Sequence, residues 1–248
     1  MGSKRWKGKT CVYCAVPESS EDPDHVVARG FFPLDKRDNL PQVPSCKPCN
    51  NLKSRIEIDL QASIPLASRV DGAKKFAEEM VAPRLRKNQR LARHLNKGAK
   101  FEYANIDGQS TPSFTIPFDH DSAVALYKMI AKGLAFHHWG VVIPDADVMV
   151  EAGFLTPFGV STIERVFTTT NCNSTGVVEL GDRVFTYLGT QDRENPTLTV
   201  WRFAMYDSVV SAEDEAGSEV ISSNAYVITA PRTINEVCDL AMRVGGKS

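Results

Sequence analysis

Apolar side chains recur at helical spacing through residues 119–140, DHDSAVALYKMIAKGLAFHHWG, where Val124, Tyr127, Ile130, Ala131 and Leu134 share one face. Asp121 or Ser122 supplies an N-cap, so this stretch predicts a long helix. Between residues 176 and 229 the pattern becomes alternating and turn-punctuated, as in GDRVFTYLG and PTLTVWRFAMYDSVV, which predicts an antiparallel sheet. Trp201, Phe203 and Tyr206 then read as core and surface members of its strands, and TINEVCDLAMRV as a short closing helix. Nearer the N-terminus, Val26 and Val27 suggest a short strand closed by Pro33. VPSCKPCNNLKSRIEIDL predicts a helix beginning near Ser45, with Pro48 tolerated only in its first turn. Residues 73–95 read as a helix, or as a pair broken at Pro83, which lacks a backbone donor. The expected class is α+β, without internal repeats.

Composition adds an asymmetry that the pattern alone does not carry. The 248 residues suit one large domain or two modest ones, and net charge is only −1. Yet residues 1–100 hold 20 Lys+Arg against 11 Asp+Glu, a balance of +9, while residues 101–248 balance at −10. An anionic partner at one end is implied, and nucleic acid suits it better than a membrane. The expected organisation is a Cys-rich finger over 1–62, a basic helical extension over 63–105 and an α+β part over 106–248. The extension carries Arg84, Arg86, Lys87, Arg90 and Arg93, too many around a helix for all to pack inward. No apolar run approaches the ~18 residues of a membrane span, and the basic start lacks an apolar run after it. A cytoplasmic protein with reduced thiols is expected.

In that setting Cys11-Val-Tyr-Cys14 and Cys46-Lys-Pro-Cys49 form two matched knuckles. Four thiolates at this spacing suit one tetrahedral Zn²⁺, and four Cys ligands leave no open position, so the ion would be structural. Cys172 and Cys238 lack such partners and read as core thiols. Between and just after the knuckles lie Asp24, His25, Asn39, Asn50 and Lys53. Phosphodiester hydrolysis needs a base near pH 7, which neutral His supplies, and a hard cation on oxygen ligands. Asp24 and the Asn50 amide could bind Mg²⁺ or Mn²⁺. Each also has a bland reading: a strand edge for Asp24–His25, a turn for Asn39, ordinary helix polarity for Asn50, solvated charges for Lys53 and Arg55. The Arg84–Arg93 run is either a solvated face or a phosphate-tracking surface. His137–His138 reads as a packed aromatic helix end, because adjacent helical residues do not converge.

Taken together, CVYC…DHVVARG…RDNL…VPSCKPCNNLKS resembles the zinc-knuckle branch of the HNH endonucleases over about residues 8–60. The resemblance implies a treble-clef-like ββα-metal finger in which His25 is the general base and Asp24 a metal ligand. It also implies that Asn39 braces the loop and orients His25, that Asn50 is the second metal ligand, and that Lys53 touches phosphate. Ala28 stands where many relatives carry Pro, and Asn50 where many carry His. IAKGLAFHHWG and the later GDRVFTYLG resemble more weakly a C-terminal region of bacterial HNH proteins. The expected activity is metal-dependent cleavage of DNA, with structural Zn²⁺ and catalytic Mg²⁺ or Mn²⁺, and with Lys53, Arg55 and the Arg84–Arg93 run on the nucleic acid. RNA is the alternative substrate, and a finger that binds without cutting the alternative class. A bacterial or phage defence effector, with a regulatory partner or homo-oligomer formed through the C-terminal part, is an expectation by analogy.

Overall fold

The computed structural model describes residues 4–68, 76–106, 109–155, 157–168, 171–208, 210–213 and 219–232. The expected closing helix over 233–244, and Cys238 within it, lie outside the described residues. Strands β1 (Asp22–His25) and β2 (Gln42–Ser45) pair antiparallel, with Asp24 opposite Val43 and His25 opposite Gln42. Val26 and Val27 lie just past the end of β1, both buried. Helix α1 (Lys47–Leu66) follows β2 directly. Ser45 is still strand, so Cys46 occupies the N-cap position and Pro48 falls in the first turn, where its missing N–H is no loss. The helix also runs past the expected limit of the finger at residue 62, burying Leu60, Ala62 and Ile64.

A π-helical turn (Ala77–Val81) leads into α2 (Ala82–Lys87), and α3 (Gln89–Gly98) follows. The break between the two helices falls at Asn88 rather than at Pro83. Pro83 sits in the first turn of α2, directly after the widened π turn, whose Ala77 carbonyl accepts from the Ala82 N–H. Asn88 leaves helical geometry at φ −104°, ψ 75° and accepts the Leu91 N–H with its side chain, capping α3. Strands β3 (Lys100–Ile106) and β4 (Gln109–Thr115) then form a two-stranded antiparallel hairpin. The change of composition near residue 105 falls inside this hairpin.

Helix α4 (His120–Trp139) is capped by Asp119, whose carboxylate accepts the Ser122 N–H, and it ends at Gly140 in the left-handed region (φ +69°). Its buried residues include Leu126, Tyr127, Ile130 and Leu134. Next come β5 (Val148–Phe154), α5 (Pro157–Glu164), β6 (Cys172–Leu180), β7 (Phe185–Asp192), β8 (Thr199–Met205), β9 (Val210–Glu213), β10 (Glu219–Ser222) and β11 (Ala225–Pro231). Five of them make an antiparallel sheet in the order β5-β11-β8-β7-β6, and β9 pairs with β10. Trp201, Phe203 and Tyr206 are all buried, with Phe203 stacked on Tyr127 of α4 at 5.6 Å between ring centres. His138 donates to or accepts from the Tyr187 hydroxyl at 2.9 Å, a packed helix end with burial holding its imidazole down at about 4. Cys172 is only half-buried, at the start of an outer strand.

The N-terminal region is seated on this α+β body. Val26, Phe31, Phe32, Val43 and Leu60 belong to the same core cluster as Leu126, Ile130, Phe185 and Trp201. Tyr206 donates its hydroxyl to the Phe31 carbonyl, and the buried Lys132 of α4 donates to the Tyr13 carbonyl while pairing with Asp145. Gly133 permits the close approach, since a Cβ there would lie 2.9 Å from both γ-carbons of Val26. No described helix is long and apolar enough to cross a membrane.

Candidate functional site

The Sγ atoms of Cys11, Cys14, Cys46 and Cys49 all lie within 4.8 Å of one another. Tetrahedral thiolates at ~2.3 Å from Zn²⁺ stand about 3.8 Å apart. Cys14 and Cys46 are separated by 3.8 Å, so the geometry fits such an ion. The donor set agrees: burial and the neighbouring cysteines push the Cys49 thiol up, a cost that a divalent cation would reverse. The cluster is assembled from the turn over Cys11–Cys14 and the first turn of α1. The backbone ties these together, with the Val12 N–H donating to the Pro44 carbonyl and the Asn50 N–H to the Cys46 carbonyl. Four cysteines thus form a site that could bind a metal such as zinc.

Directly beside it runs a buried polar network. The Tyr13 hydroxyl donates to Asp24 Oδ2 at 2.6 Å, and the same oxygen lies 3.1 Å from Lys53 Nζ. Lys53, fully buried at 0 % exposure, also reaches Glu57 at 2.6 Å and donates to the His25 carbonyl at 2.8 Å. Its ammonium therefore faces inward and cannot be the phosphate contact expected of it. Instead it neutralises two buried carboxyl groups and ties α1 to β1. Burial raises Glu57 to about 7 against the opposing pull of Lys53, and burial with Asp24 raises the Tyr13 phenol. Glu57 carries no motif of its own in the sequence, although the Lys53–Glu57 spacing of four is a visible helical pair.

Alternation along β1 buries Asp24 and leaves His25 half-exposed. His25 Nε2 lies 2.9 Å from the Gln42 side-chain amide, its cross-strand partner. Burial is the main cause lowering the His25 imidazole, with Asp24 opposing and Arg29 and Lys53 adding to it. With the Gln42 amide nitrogen toward the ring, the Nε2 lone pair is used and Nδ1 carries the proton, which leaves no base. With the amide turned over, Oε1 accepts the Nε2 proton and Nδ1 keeps a free lone pair. A base at position 25 thus requires the second arrangement.

Among the described residues, the side chain hydrogen-bonded to His25 is that of Gln42, not Asn39. Asn39 is exposed in the left-handed region (φ +57°), turning the chain into β2. Asn50, half-exposed, shares the face of α1 that carries Lys53 and Glu57, one turn closer to the cysteines. The side chains of Asp24, Lys53 and Glu57 are thus brought together, His25 joins them through its carbonyl alone, and Asn50 lies one turn before Lys53 on α1. Among the described residues the four cysteines are the one group of three or more Cys, His, Asp or Glu placed to hold a metal.

The basic residues separate into two kinds. Arg84 is half-buried and donates to the carbonyls of Gln61 (3.1 Å) and Gly30 (2.7 Å), clamping α2 to α1 and to the loop after β1. Arg86, Lys87, Arg90 and Arg93 are exposed, and Arg55 lines a shallow groove beside α1 with Lys47 and Asn51. Comparison with family models, with curated proteins and with solved structures finds no match to this chain.

Proposed function

We propose that the protein is a metal-dependent HNH-type endonuclease acting on DNA. The observation that carries this reading is the hairpin-and-helix unit closed by four cysteines, with the Asp24 side chain turned toward α1 and the adjacent His25 imidazole on the more open face of β1. In this reading Zn²⁺ holds the cysteines and only maintains the unit. Asp24 and Asn50 would hold Mg²⁺ or Mn²⁺. Tyr13 and Lys53 both meet the Asp24 carboxylate at Oδ2, so among the described residues Oδ1 is the oxygen that could face a cation. Such a cation, held by those two residues, would supply positive charge where negative charge builds on the phosphate. His25 Nδ1 takes a proton from water, the water oxygen bonds to phosphorus, and the bond to the departing sugar oxygen breaks. Gln42 holds Nε2–H, Asn39 shapes the turn before it, and the exposed Arg86, Lys87, Arg90 and Arg93, with Arg55, meet the phosphates.

One observation favours a second reading, a finger that binds nucleic acid without cutting. Lys53 already supplies a cation to Asp24. The test is incubation of the full chain, zinc retained, with plasmid, linear duplex, single-stranded DNA and RNA. The metal arms are Mg²⁺, Mn²⁺ and no added divalent ion. Cleavage of DNA that requires the added ion supports the nuclease, and salt-sensitive binding without cleavage under every ion leaves the second reading standing.

A further inference from the structure

We infer that the β3–β4 hairpin and α3 form a binding surface for unpaired nucleic-acid bases, deepening the nuclease reading by naming its substrate as single-stranded or locally opened. Phe101, Tyr103 and Phe114 are 73 %, 72 % and 64 % exposed, among the most exposed large apolar side chains described. They are not scattered. Phe101 is directly opposite Phe114 in the hairpin register, and Tyr103 lies two residues along β3, so all three stand on one face of a two-stranded sheet. Three aromatic rings held in water on one face mark a surface with a partner.

The charge beside them indicates which partner. Only Ala99 separates α3 from β3. Along α3, Arg90, Arg93 and Lys97 are exposed at spacings of three and four, hence on one stripe. Lys100 continues the cationic run into the hairpin, and no Asp or Glu occurs between Glu79 and Glu102. A cationic stripe that follows a backbone, joined to rings that accept flat partners, is the combination that binds single strands. A duplex keeps its base faces stacked on one another, so rings on an open sheet face gain bases only where the strand is unpaired. A second copy of the chain fits less well. A two-fold contact through the hairpin would have to accommodate the cationic run that leads directly into β3 from each copy.

The test measures fluorescence polarisation of a labelled 20-nucleotide single strand, as DNA and as RNA, and of the matching duplex. The full chain is used without added divalent ion, so cleavage does not enter. Phe101→Ala, Tyr103→Ala and Phe114→Ala should each weaken single-strand binding about tenfold, equivalent to ~1.4 kcal/mol, and change duplex binding less than twofold. Replacing Arg90, Arg93 and Lys97 together by Gln should lower the slope of log affinity against log salt by about 2, three phosphates at ~0.7 each. These side chains are exposed, so unchanged melting curves will show that each variant folds. Ring variants that bind single strands as the parent does, or a parent that prefers duplex, overturn the inference. So does a parent dimer that the ring variants dissolve without losing affinity for single strands, which would assign the face to a second copy. Ring-dependent binding without cleavage sinks only the nuclease reading, and cleavage with ring-independent binding sinks only this one.

Discussion

Replacing Lys53 by Met removes one ammonium group and keeps most of the side-chain volume. In the parent that ammonium is fully buried, 2.6 Å from Glu57, 3.1 Å from Asp24 and 2.8 Å from the His25 carbonyl. The variant leaves two buried carboxyl groups without their cation, a loss of about 3–5 kcal/mol when a buried pair is broken from one side. For a chain of this size that is a fall in Tm of about 6–20 °C near pH 8. The loss should shrink on acidification. Glu57 already sits near 7 in the parent, and its ionisation will be harder still without Lys53. A carboxyl raised in the folded state favours folding when protonated, below its unfolded value near 4.5, and that contribution disappears as pH rises through the folded value. The difference in Tm between variant and parent should therefore be large at pH 8 and small at pH 5, and Glu57→Gln added to Lys53→Met should recover part of it. Calorimetric melts of the three proteins across that range measure this. Unchanged Tm at pH 8, with a reduced salt slope for DNA binding, would instead make Lys53 a surface phosphate contact.

Three further outcomes follow from the same geometry. Cys46→Ala should lower the bound zinc and unfold the hairpin–helix unit, seen as metal content by mass spectrometry and as lost helical circular dichroism; full metal content would count against the cluster. In a ¹⁵N-histidine spectrum above the imidazole titration, His25 should carry its proton on Nε2, and Gln42→Ala should slow nicking; a proton on Nδ1 contradicts His25 as base. Gly133→Ala places a Cβ 2.9 Å from Val26 and should cost about 1–3 kcal/mol in a urea melt, whereas an unchanged midpoint would mean the contact yields freely.

How much of this was legible beforehand depends on what kind of signal each feature leaves. Helix α4 showed as periodicity because one apolar face packs against a sheet, and β7 and β8 showed as alternation bounded by turns. The knuckles showed because metal-ligand spacing is local. Features set by tertiary contact did not show. Lys53 and Glu57 look like solvated helix charges until β1 covers them. Gln42 touches His25 only through the cross-strand register, which sequence distance hides. The β3–β4 hairpin was obscured because Pro112 and a polar run weaken a strand pattern that here is paired on one side only. Pro83 marks a break in the sequence, but proline in a first turn ends nothing, and the helices part after Lys87.

In an HNH-type nuclease the imidazole at position 25 performs chemistry on a phosphate rather than merely closing a strand pair. Plasmid nicking by the parent and by His25→Ala, at equal zinc content and equal Tm with Mg²⁺ or Mn²⁺ present, separates the two roles. The parent should nick, and the variant should be slower by about a hundredfold or more. Equal rates for the two proteins, or no nicking by the zinc-loaded parent under either ion, would leave His25 without a catalytic role.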